Sequence, residues 1–287
     1  MILEMKDDIG VTYGEMYKKL LADKRKGEEF FEKKNTLNVQ VRSKGLELTI
    51  RTPVMEYFVL RFRDVNQKKA KHLPEQHAQI GSALIPFVQV KYNAITFFSE
   101  NATKTLSDVF GHFKAEFKFG PINQFIFEAG ASRRNVQFAA SWYKTKRLSL
   151  NFLEINESDD DTEQFHEEDV KLILSTIKPT HAIEMRWVPP PGFSHEFEST
   201  CMMVNIMSGG HWISVKNLLY NGCQIFTVHE SALTNIHMVE YLSKWIPRPF
   251  DSQTKIAHYE KRSIELQERA NLAGIVALLP GAQELSW

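Results

Sequence analysis

Between Ser208 and Ile246 the chain reads SGGHWISVKNLLYNGCQIFTVHESALTNIHMVEYLSKWI, a run of helix, strand and helix with almost no slack. Trp212, Val215, Leu218 and Leu219 recur three and four apart, which puts them on one face of a helix. Gly222 stands where a helix commonly closes in a left-handed residue. Gln224 to His229 carries Ile225, Phe226 and Val228 and reads as a short strand. Thr234 is placed to cap the next helix. Its apolar stripe is Met238, Leu242 and Trp245, with Val239 and Ile246, and Pro247 and Pro249 stop it.

The same grammar extends upstream. Strand-like runs recur near 148, 183 and 226, each followed by a helical or loop segment. Leu148, Leu150 and Phe152 alternate with Ser149 and Asn151, and Ile183, Met185 and Trp187 alternate with Glu184 and Arg186. Val170, Ile173, Leu174 and Ile177 form the apolar face of a helix that ends at Pro179, with Asp161 and Gln164 as its expected capping box. Met202 to Ile206 adds a strand after the Pro189-Pro190-Pro191-Gly192 loop. Short strands alternating with helices predict an α/β fold with a largely parallel sheet, layered or irregularly solenoid-like in the manner of leucine-rich repeats. No leucine-rich consensus repeats, however, and the intervals are unequal.

A β-hairpin precedes this region. Leu37, Val39 and Val41 alternate, as do Leu46, Leu48 and Ile50, around a Ser43-Lys44-Gly45 turn. Val54 to Phe62 extends it, and residues 64–81 read as a polar loop. Further strands are expected over Ile85–Tyr92, Ile95–Phe98 and Ile122–Phe127. Helices are expected over Thr103–Phe113, with Leu106, Val109, Phe110 and Phe113 inward, and over Asn135–Tyr143. The chain therefore divides into a polar segment 1–35, a hairpin and linker 36–82, a main domain 83–250 and a polar tail 251–287, in which Thr254–Leu272 has helical composition.

Composition narrows the function. Lys plus Arg and Asp plus Glu are 35 each, so no net charge draws the chain to nucleic acid or to an acidic membrane. The longest apolar run, Ala273–Leu279, is too short to span a bilayer. No signal peptide opens the sequence, so a cytoplasmic or nuclear location is expected. Two cysteines, Cys201 and Cys223, far apart in sequence, are expected as buried reduced thiols. The acidic run Ser158–Asp161 lacks the spacing of a calcium loop and fits a helix N-terminus better than a metal site. Lys68, Lys69 and Lys71 fit a solvated face. Cys223, His229 and His237 lie close enough in sequence to suggest a nucleophile with a nearby base, but their spacings match neither a zinc pair nor a helix-face pair, and Cys223 is expected as a buried small hydrophobe. Gly209-Gly210 is too short for a phosphate loop. Trp187, Trp212 and Trp245 are expected in the core. No catalytic, cofactor or metal residue is assigned.

Gly210, Trp212, Leu218, Leu219, Cys223, Leu233, Thr234, Asn235, Leu242 and Trp245, in that order and spacing, resemble the end of the type-2 F-box-associated domain of nematode F-box proteins. The resemblance covers roughly residues 83–246. It implies a non-catalytic module that recognises substrates for a Skp-cullin-F-box ubiquitin ligase, with no cofactor and an unknown target protein as partner. A Skp-type adaptor would be a partner through an F-box ahead of this domain. Residues 1–35 show neither the Leu-Pro opening nor the leucine-rich helix pair of that motif, which leaves a stand-alone binding domain as the first alternative and an enzyme with an unrecognised site as the second. If the strands present one face to a partner, the outward residues are Ser149, Asn151, Glu184, Arg186, Thr227 and His229. The ten motif positions would then be structural.

Overall fold

The computed structural model describes residues 36–51, 57–65, 76–80, 83–91, 93–116, 120–157, 164–245 and 263–266. The segment 1–35, the lysines at 68, 69 and 71, the acidic run 158–161 and Ile246 lie outside them. The chain is α/β and divides into two compact units, Met1–Leu150 and Asn151–Trp287.

The first unit carries an open mixed sheet. Its strands are β1 (Thr36–Arg42), β2 (Gly45–Arg51), β3 (Tyr57–Asp64), β4 (Gln76–Ile80), β5 (Ala83–Lys91), β6 (Ala94–Ser99) and β7 (Ile122–Glu128). They lie in the order β7-β1-β2-β3-β6-β5-β4. The expected hairpin is present: Arg42 pairs with Gly45 across a two-residue turn. Gly45 has φ +131°, and a Cβ there would lie 2.3 Å from the Phe62 carbonyl oxygen, so only glycine fits. Leu37, Val39, Val41, Leu46, Leu48 and Ile50 are all buried, as the alternation requires. Residues 76–80, within the stretch read as a loop, form instead a strand antiparallel to β5. Ala78 and Ile80 are its buried residues, and the polar Gln76, His77 and Gln79 between them masked the period. The division at 82/83 thus falls between two strands of one hairpin.

Helix α1 (Ala102–Glu116) begins after Asn101, whose side chain accepts from the Lys104 amide at 3.1 Å. It buries Leu106, Val109, Phe110 and Phe113. Helix α2 (Arg133–Lys146) is longer than its apolar stripe suggested, capped by Ser132 and closed by Arg147 in a left-handed conformation. Trp142 of α2 meets Phe110 edge-on at 4.8 Å and joins the core through Phe125.

The second unit is built from β8 (Leu150–Asn156), α3 (Glu167–Thr176), β9 (Ala182–Met185), β10 (Met203–Ile206), α4 (Val215–Tyr220), β11 (Ile225–Val228), α5 (Asn235–Trp245) and β12 (Ser263–Leu266). Its strands are parallel and lie in chain order. They are also in register: Leu153, Ile183, Val204 and Phe226 form one row, and Ile155, Met185, Ile206 and Val228 another. Both rows are buried. The apolar residues of α3, Val170, Ile173, Leu174 and Ile177, are buried as expected.

Several local expectations are corrected. Helix α3 starts at Glu167, not near Asp161; His166 precedes it without a side-chain cap, and Glu167, Glu168 and Asp169 supply the acidic first turn. Strand β8 runs to Asn156, and its buried alternation is Leu153 and Ile155, so Phe152 faces the other side. Trp212 lies in a short 3-10 turn (Gly210–Trp212) ahead of α4, and Leu219 is only half-buried. Gly222 is not left-handed: α4 ends in an extended Asn221, and the Gly222 amide donates to the Ser199 carbonyl at 2.7 Å. Tyr241 joins Met238 as the buried pair of α5, while Leu242 and Val239 are half-buried. Residues 263–266, inside the stretch given helical composition, pair as β12 with β11.

Candidate functional site

In the second unit, from Phe152 onward, the inward residues of β8 to β11 are buried, whereas their outward neighbours, Ala182 apart, are half-buried or exposed; at the start of β8 this order fails, with Leu150 buried and Asn151 half-buried. The outward side chains form rows across the strands because the ladder is in register. The first row is Phe152, Ala182, Met203 and Ile225, all apolar. The second is Glu154, Glu184, Asn205 and Thr227, all polar. One pair of residues further along each strand lie Asn156, Arg186, Met207 and His229, tied by the Arg186 amide to the Ile155 carbonyl at 2.8 Å and the His229 amide to the Ile206 carbonyl at 2.9 Å.

Of the six residues expected on a partner surface, four belong to this face. Glu184 and Thr227 share the polar row, and Arg186 and His229 the next. Arg186 Nε donates to Glu184 Oε1 at 2.7 Å, so these two act as one unit. The other two do not belong to it. Ser149 is exposed but precedes β8, and Asn151 has the parity of Leu153 and Ile155, with its Oδ1 accepting from Thr180 Oγ1 at 3.4 Å. The error came from reading Leu148, Leu150 and Phe152 as the buried series; a one-residue slip in parity exchanges the faces of a strand. Phe152, Glu154 and Asn156 are missed for the same reason, and Met203, Asn205 and Met207 because the strand expected over Met202 to Ile206 carries no assignment of its faces. The alternation of Met203, Asn205 and Met207 with buried Val204 and Ile206 was the available signal.

Two amides on this face are incompletely satisfied. The Oδ1 atoms of Asn156 and Asn205 are shielded from solvent and accept no hydrogen bond from the described residues. A shielded acceptor without a donor is unfavourable by about 1–3 kcal/mol.

The ends of the strands are held by aromatic and asparagine contacts. Trp187 meets Phe165 and Phe193 edge-on, and Phe193 meets Trp212 edge-on at 5.1 Å. Trp187 and Trp212 are thus core residues, as expected; the Trp245 side chain lies outside the described residues. Asn217 Nδ2 donates to the His195 carbonyl at 2.9 Å, and Asn221 Nδ2 to the Phe197 carbonyl at 3.0 Å. Ser214 and Asn217 cap α4 reciprocally. The connection 193–199 is thereby pinned to α4.

Of the motif positions, Gly210, Trp212, Leu218, Cys223 and Leu233 are buried, Leu219, Asn235 and Leu242 half-buried and Thr234 exposed. Gly210 lies so close to β11 that a Cβ would sit 2.4 Å from the His229 carbonyl oxygen and from Val228 Cγ1. Gly209 is left-handed at φ +59°, and its amide donates to Glu230 Oε2 at 2.7 Å. This is close packing of backbone on a strand end rather than a phosphate cradle. Trp212, Leu218, Cys223 and Leu233 are buried; Thr234 is exposed and its amide donates to His237 Nδ1 at 3.1 Å; Asn235 opens α5.

Neither cysteine is placed for nucleophilic work. Both are buried thiols outside any disulfide. Cys201 accepts from Ser199 Oγ and donates to the Met203 carbonyl, each at 3.0 Å, and burial pushes its thiol pKa up. Cys223 is buried while His237 is exposed on α5. Among the described residues no group of three or more His, Cys, Asp or Glu is arranged to hold a metal ion. No described helix is long and apolar enough to cross a membrane.

No protein-family model, curated protein or solved structure matches the chain.

Proposed function

We propose that this protein is a non-catalytic protein-binding module, and that the outward face of β8 to β11 is its recognition surface. The observation that supports it is the in-register face itself, which sets an apolar row, half-buried apart from the buried Ala182, beside a half-buried polar one. Strands added in chain order give a single-sided, solenoid-like layer. Such a sheet has no reversal of strand order, the place where small ligands bind in doubly wound folds. A broad face suits a macromolecular partner better than a small substrate. The buried thiols argue against covalent catalysis by either cysteine.

In the ligase reading suggested by the sequence resemblance, this face selects a target protein in the cytoplasm or nucleus and a Skp-type adaptor attaches the chain to a cullin ligase. The second reading is a binder without ligase attachment. Two assays on the full chain test these statements. Capture of a recombinant Skp-type adaptor separates the two readings: binding favours the ligase, no binding the stand-alone module. Capture of cellular partners by the native chain and by Glu184→Ala/Arg186→Ala tests the surface. The double variant should stay folded and lose partners; an unchanged partner set would remove this face from the account.

A further inference from the structure

We propose that the outward face of the first sheet holds a site for a phosphomonoester, with Arg61 and Arg63 of β3 donating to the phosphoryl oxygens and Arg42 of β1 bounding the site across Gly45. It is built from the first unit alone and does not depend on the reading of β8 to β11.

The strand pairing places the three arginines together. On β3, Phe58, Leu60 and Phe62 are buried, and Arg61 and Arg63 alternate with them on the other face. Arg61 stands between Glu47 of β2 and Thr96 of β6, and Arg63 beside Phe98 of β6. On its other side Arg63 has Gly45, where a Cβ would lie 3.5 Å from Arg63 Cγ. Gly45 in turn pairs with Arg42. One row across the strands therefore runs Phe98, Arg63, Gly45, Arg42. Gly45 has no side chain, so a gap separates the two arginines. Lys44, exposed in the turn next to Gly45, adds a further positive charge at this end.

The outer layer of this cluster is cationic. Arg61 Nε donates to Glu47 Oε2 at 3.0 Å, and Arg42 Nη1 lies 4.0 Å from the same oxygen. Arg42 Nε lies 3.0 Å from Glu128 Oε1, on the side of β1 away from Arg63. Three guanidinium groups thus share two carboxylates. The Glu47 side chain is 10% exposed, against 30% for Arg61 and 42% for Arg42, so the central carboxylate lies beneath the arginines.

Arg63 itself is the strongest sign. Among the described residues, four lysines and arginines are half-buried: Arg42, Arg61, Arg63 and Lys171. Arg42, Arg61 and Lys171 are ion-paired, whereas the Arg63 guanidinium has neither an ion pair nor a hydrogen bond to a described residue. Burial, and then neighbouring Arg61, lower its pKa, opposed by Glu47. A partly desolvated cation beside a second cation is unfavourable until an anion joins them. The donors are in place: Arg63 offers its whole fork, and Arg61 binds Glu47 through Nε and keeps its Nη groups. A carboxylate fills one such fork with two oxygens. A phosphoryl dianion has three oxygens and nearly two charges, so it accepts from both arginines at once.

The test uses the full chain and a short fluorescent glycine-serine peptide carrying one phosphoserine. Anisotropy should show saturable binding, and the unphosphorylated peptide should show none. Arg63→Gln should weaken binding at least about tenfold, the loss expected when charge-assisted hydrogen bonds are removed. Arg63→Lys keeps the charge without the planar fork and should also bind more weakly, so the outcome does not hang on the neutral variant alone. Arg51→Gln, at the opposite end of β2, should bind as the native chain does. Circular dichroism checks that all three variants fold. Phenyl phosphate should compete; displacement at concentrations like the peptide's own assigns the site to small phosphate esters, and much weaker displacement assigns it to phosphorylated protein. Phenyl phosphate should also raise the Tm of the native chain more than that of Arg63→Gln at equal ionic strength. Absence of phosphopeptide binding, or equal binding by native chain and both Arg63 variants, overturns the site. A glutamate peptide binding as tightly as the phosphopeptide overturns the choice of a phosphoryl group.

Discussion

At Gly210 the backbone of one connection touches the end of β11, with the Gly210 amide donating to the His229 carbonyl at 3.0 Å. The next residue, Glu230, adopts φ +56°, unusual for a side chain with a Cβ, and its carboxylate accepts from Gly209. The two ends of this contact support each other, since the charged hydrogen bond offsets the strain. A Cβ at Gly210 would meet backbone that cannot yield like a flexible side chain. Gly210→Ala should therefore destabilise the protein by about 2–4 kcal/mol. Gly222→Ala should fall within about 1 kcal/mol of native, because the added methyl meets only an ordinary contact at 3.5 Å from Ser199 O. Urea unfolding of the two variants checks the contrast; equal losses would show that Gly210 is not a close-contact position.

The connection 193–199 is an element without regular structure of its own, held by its neighbours. His195 Nε2 lies 3.3 Å from Ser175 Oγ of α3, and Lys178 Nζ bridges the carbonyls of Leu174 and Glu198. Burial, and then the nearby Lys171 and Lys178, lower the pKa of His195, opposed in part by Glu168 and Glu196. The folded state thus resists a proton that the unfolded state accepts near 6.5. This contribution is whole above that value and is lost progressively as pH falls toward the lowered folded pKa. Stability measured at pH 7.5 and pH 5.5 should drop less for His195→Gln than for the native chain. An identical drop would mean that His195 stays hydrated in the fold. None of this was readable from sequence, where 193–207 was only a connection with one tentative strand. Helices α1 and α3 were readable, because Leu106, Val109, Phe110 and Phe113, and Val170, Ile173, Leu174 and Ile177, repeat long enough to fix a period. Strands β9, β10 and β11, of four residues each, give too few alternations for that; in β8 the buried Leu150 shares the parity of outward Phe152, so a series through Leu148, Leu150 and Phe152 gives the wrong face. The asparagines that pin the connection, Asn217 and Asn221, bond to main-chain carbonyls more than twenty residues away, a distance that no local pattern encodes.

For the molecule as a whole, the two cysteines report on one unit. Cys201 and Cys223 are the chain's full complement, and both lie in Asn151–Trp287. Being buried, they should resist a thiol reagent in native buffer and react together in denaturant. Comparing that reactivity with far-ultraviolet circular dichroism, which sees both units, separates independent from concerted unfolding: offset curves mean the former, superposed curves the latter. Prompt labelling of the native chain would contradict the burial itself. The register of the second sheet has one more consequence. Buried and outward residues alternate strictly along β9, β10 and β11 from Ile183, Val204 and Phe226, so changes at 184, 205 and 227 leave Ile183, Met185, Val204, Ile206, Phe226 and Val228 untouched. A lineage of such chains could exchange one target for another by point mutation while inheriting the same interior, and selection on the target could proceed almost free of selection on folding.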